Sequence, residues 1–333
     1  MDMTIDILPD HKNGHLCIDD IIMLVARYFK KNYIFMYTKG LNFSYSPHII
    51  KGKGMLEQIR TSCNYPTRLS DFSIELAYLK DYVGLDIEYK SGLEKEKTIS
   101  YIIENVKNNR PVAVISDTYY IPWYNKYYQK VNKLHTFLVV NVIDGFLLCV
   151  DGYLSHRPIE FLPIDLLVNK GTLAIQPIEP QEKLSLCNIL NHIVRLLKIN
   201  HKLENCDCIR RFADDVKDIS FLNSERQIYA DLDCSDFMVG LKSIEFGRAN
   251  IKELFHYLSD IFTSHKDSLL LIESKIQPIV EQWKLVNVFF IKGFYSNQNK
   301  YYMRRAAEQL YEIADREEEV TGLIQNFSTI YKI

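Results

Sequence analysis

The chain has 333 residues, 47% hydrophobic and 25% charged, and its 40 Lys and Arg against 42 Asp and Glu leave a net charge of -2. That balance excludes a disordered or fibrous chain and carries no electrostatic footprint for nucleic acid, while the length fits about two domains. The longest apolar runs, such as Ile21–Ala26 and Leu269–Ile272, fall far short of the ~18 residues of a membrane span.

Met1-Asp2-Met3-Thr4 carries acid where a secretory signal carries Lys or Arg, so a cytoplasmic location is expected. Cys17, Cys63, Cys149, Cys187, Cys206, Cys208 and Cys234 form an odd, scattered set in a chain too large to need disulfide staples. Reduced thiols are expected, either core fillers or one of them chemically active.

Ile18, Ile21, Ile22, Val25, Ala26 and Phe29 recur at helical spacing, predicting a helix over 17–31 with Cys17 at its start. Helical patterns follow near 55–62, 72–82 and 95–108, with a strand-like Leu85–Tyr89 among them. From Pro111 to Ile178 the pattern changes to β-branched and aromatic runs: Val112–Ser116, Thr136–Ile143, Phe146–Val150, Ile159–Leu162 and Leu173–Ile178. These predict a mostly antiparallel sheet within an α+β domain over 1–180. Between the first two of them lies an aromatic-dense loop, Tyr119 to Tyr128.

Pro177–Glu182 reads as a linker, and the second domain, 183–333, reads as all-α. Its helices are expected at 183–199, 204–217, 235–246, 249–264, 266–293 and 297–330, the fifth kinked at Pro278. Glu317-Glu318-Glu319 is expected on a solvated helix face.

Three residues have the character of a nucleophilic site. Cys17 opens a helix, where unsatisfied N–H groups and the dipole favour a thiolate. Asp19 and Asp20 in the same first turn oppose this, so a protonated His partner is required. His135 begins one strand and Asp151 ends the next, the arrangement from which a Cys-His-Asp set is assembled. Their midpoint is Ile143, so an odd loop centred there puts them on one face; a two-residue Asp144-Gly145 turn sends them to opposite faces unless a bulge intervenes. His201, Cys206 and Cys208 are a poor zinc set, one Cys-x-Cys without a second pair, and no metal is expected.

Gly14-His15-Leu16-Cys17, followed by Phe35-Met36-Tyr37-Thr38-Lys39-Gly40-Leu41-Asn42-Phe43-Ser44-Tyr45, resembles the opening of the BtrH-type family, named for butirosin biosynthesis protein H. A longer match runs from Arg110-Pro111-Val112 through Asp117, Tyr119-Tyr120, Pro122 and Trp123 to His135 and Val150-Asp151-Gly152, and it continues into the helical region. The resemblance implies a domain like papain or the bacteriocin-processing peptidases at 1–180 and a helical lid or acceptor domain at 183–333. It implies Cys17 as nucleophile, His135 as base and Asp151 as the orienting group.

The implied activity moves an acyl group from the phosphopantetheine thioester of an acyl or peptidyl carrier protein to a small amine, with no bound cofactor, no nucleic acid and no membrane partner, in secondary-metabolite biosynthesis of nonribosomal-peptide type. Relatives that form amide bonds in closthioamide assembly belong to the same picture. The family's Gly-rich run is reduced here to Gly40. Where papain-like enzymes hold the oxyanion with Gln, this chain has His11 and Asn13, so the oxyanion donors are taken as the Cys17 backbone N–H with one of those two. Asp117, Tyr119, Tyr120 and Trp123 are expected to line the substrate site. The alternatives are a cysteine peptidase with the same triad and a catalytically silent carrier-binding module.

Overall fold

A computed structural model describes residues 5–43, 45, 73–155, 157–199, 205–217 and 236–330. The described residues fall into two compact units, one within Met1–Phe35 and Phe72–Lys183, the other within Met36–Asp71 and Leu184–Ile333. The expected helix at 55–62 lies outside the described residues, as do Ser44, His201, Cys63 and Cys234.

The first unit is built on helix α1 (Cys17–Tyr28), a short α2 (Ser73–Tyr78), α3 (Lys95–Lys107) and strands β1 (Leu85–Lys90), β2 (Val112–Asp117), β3 (Leu134–Ile143), β4 (Phe146–Val150), β5 (Glu160–Pro163) and β6 (Gly171–Pro177). The strands form a single antiparallel sheet in the order β1-β6-β2-β3-β4-β5. Central strands β2, β3 and β4 bury consecutive residues such as Val112-Ala113-Val114 and Phe137-Leu138-Val139-Val140. Burial without alternation requires cover on both faces, and α1 and α3 both pack against β3. The molecule is therefore mixed α and β with an antiparallel sheet, as the β-branched runs predict.

The β3–β4 hairpin decides the face of the two predicted site residues. Its turn is the two-residue Asp144-Gly145, with φ 48° and 82°, both left-handed as a primed turn requires. That turn pairs Ile143 with Phe146 and Asn141 with Leu148, but the register slips at Val140, so that Val139 pairs with Cys149 and Leu138 with Val150. The bulge restores the parity that the turn removes. Continued by one position, the slipped register sets Asp151 opposite Phe137, two residues along the same face from His135.

The second unit contains α4 (Leu186–Ile199), α5 (Asn205–Val216), α6 (Asp236–Ile261), α7 (Lys266–Tyr295) and α8 (Asn299–Ile330). Two expected helices, 235–246 and 249–264, are one, and α7 runs unbroken through Pro278. Helix α6 passes Gly247 because that glycine abuts the backbone of Gly40, whose own added Cβ would stand 2.2 Å from the Gly247 carbonyl oxygen. The next residue, Arg248, is fully buried. Its guanidinium donates to the carbonyls of Gly40 (3.3 Å), Leu41 (3.0 Å) and Asn42 (3.0 Å) and to both carboxylate oxygens of Glu317 (2.8 and 2.9 Å).

Phe43 then packs against Trp283 and Phe212. The Gly40–Phe43 motif thus belongs to the helical core. Glu317 corrects the expectation of a solvated acidic face: it is 2% exposed, bound to Arg248 and Trp283, while Glu318 and Glu319 pair with Arg210 and Lys275. Only Glu317 of the three lies on the stripe of α8 shared with Leu310, Ile313 and Val320.

Candidate active site

The segment before α1 is shaped by one turn. Lys12-Asn13-Gly14-His15 closes with the His15 N–H donating to the Lys12 carbonyl at 2.9 Å, and Gly14 takes φ 94°, a conformation that suits glycine. Cys17 follows as the first residue of α1, partly exposed. The acids behind it are both engaged in hydrogen bonds. Asp19 accepts the Leu16 N–H at 3.2 Å, half of a capping box. Asp20, 2% exposed, accepts from His11 Nδ1 (2.6 Å), His15 Nδ1 (3.0 Å) and the Lys12 N–H (3.2 Å).

His135 is 5% exposed at the start of β3, directly opposite Ser116 of β2. Its Nε2 donates to Asp151 Oδ2 at 2.8 Å, and Cys17 lies close enough for its thiol to act on the imidazole. With Nε2 engaged by the carboxylate, Nδ1 is the nitrogen left for the thiol. Burial alone pushes the imidazole pKa down, but the Asp151 carboxylate and Cys17 overcome it and raise it to about 10. Asp151, 3% exposed, accepts also from Trp123 Nε1 at 2.8 Å and from the Leu154 N–H at 3.0 Å. Burial pushes this carboxyl up, yet His135 and these donors bring it below the usual carboxylate range.

Gly152, after Asp151, is a place of close approach: a Cβ there would lie 2.1 Å from the Asp10 carbonyl oxygen. The chain leading to α1 runs over this point, with the Ile5 N–H donating to the Val140 carbonyl at the bulge and Asp10 paired to Arg27 of α1. Three remote stretches are thereby drawn to one place.

The structure brings Cys17, His135 and Asp151 together, with Trp123 on the carboxylate. Trp123 rests edge-on against Phe137, and the bond to Asp151 gives its indole N–H a partner. Asp117 accepts the Tyr119 N–H at 2.9 Å and shapes the turn Thr118–Tyr120; Tyr119 and Tyr120 pack on each other, Tyr120 exposed. Asn13 is exposed on its turn, and His11 spends Nδ1 on Asp20.

Sequence reasoning missed Tyr153. Its ring contacts His11 edge-on at 5.1 Å and lies 6.1 Å from His135, with 43% of the residue exposed. Burial, then the nearby Cys17, raises its phenol pKa. It also missed the Asp20 clamp, whose signal was two histidines at 11 and 15 ahead of an acid in the first helical turn.

Among the described cysteines, burial pushes up the thiols of Cys149, Cys206, to about 12, and Cys208. Cys17 and Cys187 are partly exposed, and it is Cys17 that meets a histidine. No group of three potential metal ligands occurs, and no helix is long and apolar enough to cross a membrane, among the described residues. No protein-family model and no curated protein matches the chain.

Proposed function

We propose that this chain is a cysteine-dependent acyltransferase that takes an acyl group from a carrier-protein thioester and joins it to an amine. The observation that carries the reading is the convergence of Cys17, His135 and Asp151, in which the imidazole lies beside the thiol and donates to a buried carboxylate at 2.8 Å. The antiparallel sheet with the nucleophile's helix packed on β3 supports a papain-like domain. The motifs around Cys17, Asp117–Trp123 and Val150–Gly152 support a relationship to the BtrH-type family, and with it transfer in place of hydrolysis.

In the first half-reaction Cys17 Sγ, its proton already held on Nδ1 of the protonated His135, attacks the thioester carbonyl. The carbonyl–pantetheine C–S bond breaks, and His135 returns the proton to the departing pantetheine thiol. In the second, the amine attacks the Cys17 acyl group, His135 accepts its proton, and the Cys17 C–S bond breaks to restore the sulfur beside the protonated His135. The Asp151 carboxylate fixes the tautomer and stabilises the imidazolium in both. The developing oxyanion is assigned to the Cys17 backbone N–H, with the Asn13 amide as the second donor. Thioester exchange is nearly neutral in energy, so positioning the amine against ~55 M water is the main demand.

The test is a comparison of donors and acceptors. The protein is expected to consume an acyl thioester on a carrier domain faster than the same acyl group on free pantetheine, to form amide when amine is supplied, and to leave casein intact. Efficient cleavage of peptide amides, with no preference for carrier thioesters, would replace the reading with that of a peptidase.

A further inference from the structure

Between Glu281 and Glu308 the sequence has no acid but five cations, Lys284, Lys292, Lys300, Arg304 and Arg305, in a chain whose net charge is -2. This stretch is the end of the α7–α8 hairpin, and its outer side is exposed and partly apolar. On α7, Lys284, Leu285, Val288, Lys292 and Tyr295 recur at helical spacing and all are exposed, Tyr295 by 58%. On α8, Tyr301, 58% exposed, shares a face with Arg304 and Arg305.

Phe289 joins the two faces: its ring lies 6.4 Å from Tyr302, and the Arg305 guanidinium sits over it at 6.0 Å. Lys284 and Arg305 are partly neutralised by Glu281 and Glu308 at the margins. Lys292, Lys300 and Arg304 have no acidic partner among the described residues.

A solvated helix face ordinarily mixes both signs and carries few large apolar groups. Aromatic and aliphatic anchors ringed by uncompensated cations instead have the composition of a protein–protein interface, and here the sign selects an acidic partner. Leu285 and Val288 favour a folded protein surface over a phosphate backbone, which offers aliphatic side chains nothing to bury. We infer that the end of the α7–α8 hairpin is the docking surface for the acidic carrier domain that delivers the thioester. This rests on the acyltransferase reading, and it names which part of the helical unit holds the donor.

The experiment uses the full chain and a purified acyl carrier protein bearing its phosphopantetheine, with binding measured by calorimetry at 20 mM and 200 mM salt. Wild type is expected to bind, more weakly at high salt. Lys292→Glu with Arg304→Glu is expected to weaken binding at least tenfold, and Tyr301→Ser several-fold, with unchanged thermal midpoints. Lys107→Glu with Lys130→Glu, the same change in net charge at exposed sites of the first unit, is expected to leave binding as it was.

Equal weakening by both pairs would reduce the effect to net charge and overturn the inference. So would a wild type that does not bind the carrier, or binding insensitive to the hairpin variants. A duplex oligonucleotide shifted by wild type and not by the hairpin pair would reassign the surface to nucleic acid. Cys17 acylation by a free acyl-pantetheine thioester is followed in parallel: its success beside failed docking discards only this inference, and its failure discards the acyltransferase reading.

Discussion

Replacing Asp151 by Asn tests the relay through its proton linkage. Folded His135 keeps its proton to about pH 10, while an unfolded histidine releases it near 6.5. Between those values the folded state binds up to one proton more than the unfolded state, so the contribution of His135 is fully present below about pH 6.5 and is lost as pH rises toward 10. One proton sets a limiting slope of about 1.4 kcal/mol per pH unit, or up to about 2.7 kcal/mol between pH 7 and pH 9.

Asp151→Asn removes the carboxylate that opposes the effect of burial, so His135 becomes neutral in the folded state at pH 7 and its share of the slope disappears. The assay is urea unfolding of both proteins at pH 7, 8 and 9, comparing the pH dependence within each. Both proteins carry Cys17→Ala, which removes the thiol that titrates together with His135, and the remaining groups are common to the two and cancel in the difference. If the Asp151→Asn protein lost as much stability as its parent across this range, His135 would not be held protonated by Asp151, and the electrostatic account of the site would be refuted.

Trp123→Phe keeps a ring against Phe137 but removes the 2.8 Å bond to Asp151. A hydrogen bond to a charged group is worth about 1.5–3 kcal/mol, so Cys17 acylation is expected to slow by roughly tenfold or more; an unaffected Phe variant beside an impaired Ala variant would assign Trp123 to packing alone. Gly152→Ala places a methyl 2.1 Å from the Asp10 carbonyl oxygen, so the segment before α1 must move; lower thermal stability and slower iodoacetamide labelling of Cys17 are expected, and wild-type values for both would contradict the tight crossing. Arg248→Met leaves Glu317 buried without its cation and is expected to cost about 3–5 kcal/mol, whereas Arg248→Met with Glu317→Leu recovers most of it. Equal destabilisation by single and double variants, measured by urea midpoint, would show that the three backbone carbonyls of residues 40–42, and not the carboxylate, are what Arg248 holds.

The sheet was legible because each strand carries its own apolar run between turn residues, and the register question was legible as a question. Parity alone left His135 and Asp151 on one face or two. The bulge at Val140 that decides it has no local signature in Val139-Val140-Asn141. Long-range polar contacts were hidden for a related reason. Glu317 sits in a run of three acids and reads as solvated, and only the arrival of Arg248 from 69 positions away makes it a core residue.

The same holds for Trp123, whose indole N–H finds a carboxylate 28 positions later. Gly40 and Gly247 each exist for the other, a pairing that no window of sequence contains. The first half of the resemblance motif, up to Phe35, falls in the sheet unit and the part from Met36 in the helical one. A continuous motif therefore need not belong to one compact unit.

The proposed reaction depends on Cys17 as the group that carries the acyl chain. It is tested most directly by intact-mass and peptide mass spectrometry after mixing the protein with an acyl-pantetheine thioester and quenching in acid. One acyl adduct is expected on the peptide containing Cys17, absent from Cys17→Ala and formed orders of magnitude more slowly in His135→Ala. An adduct on Cys187, the other partly exposed thiol among the described residues, or one that forms equally fast without His135, would contradict it.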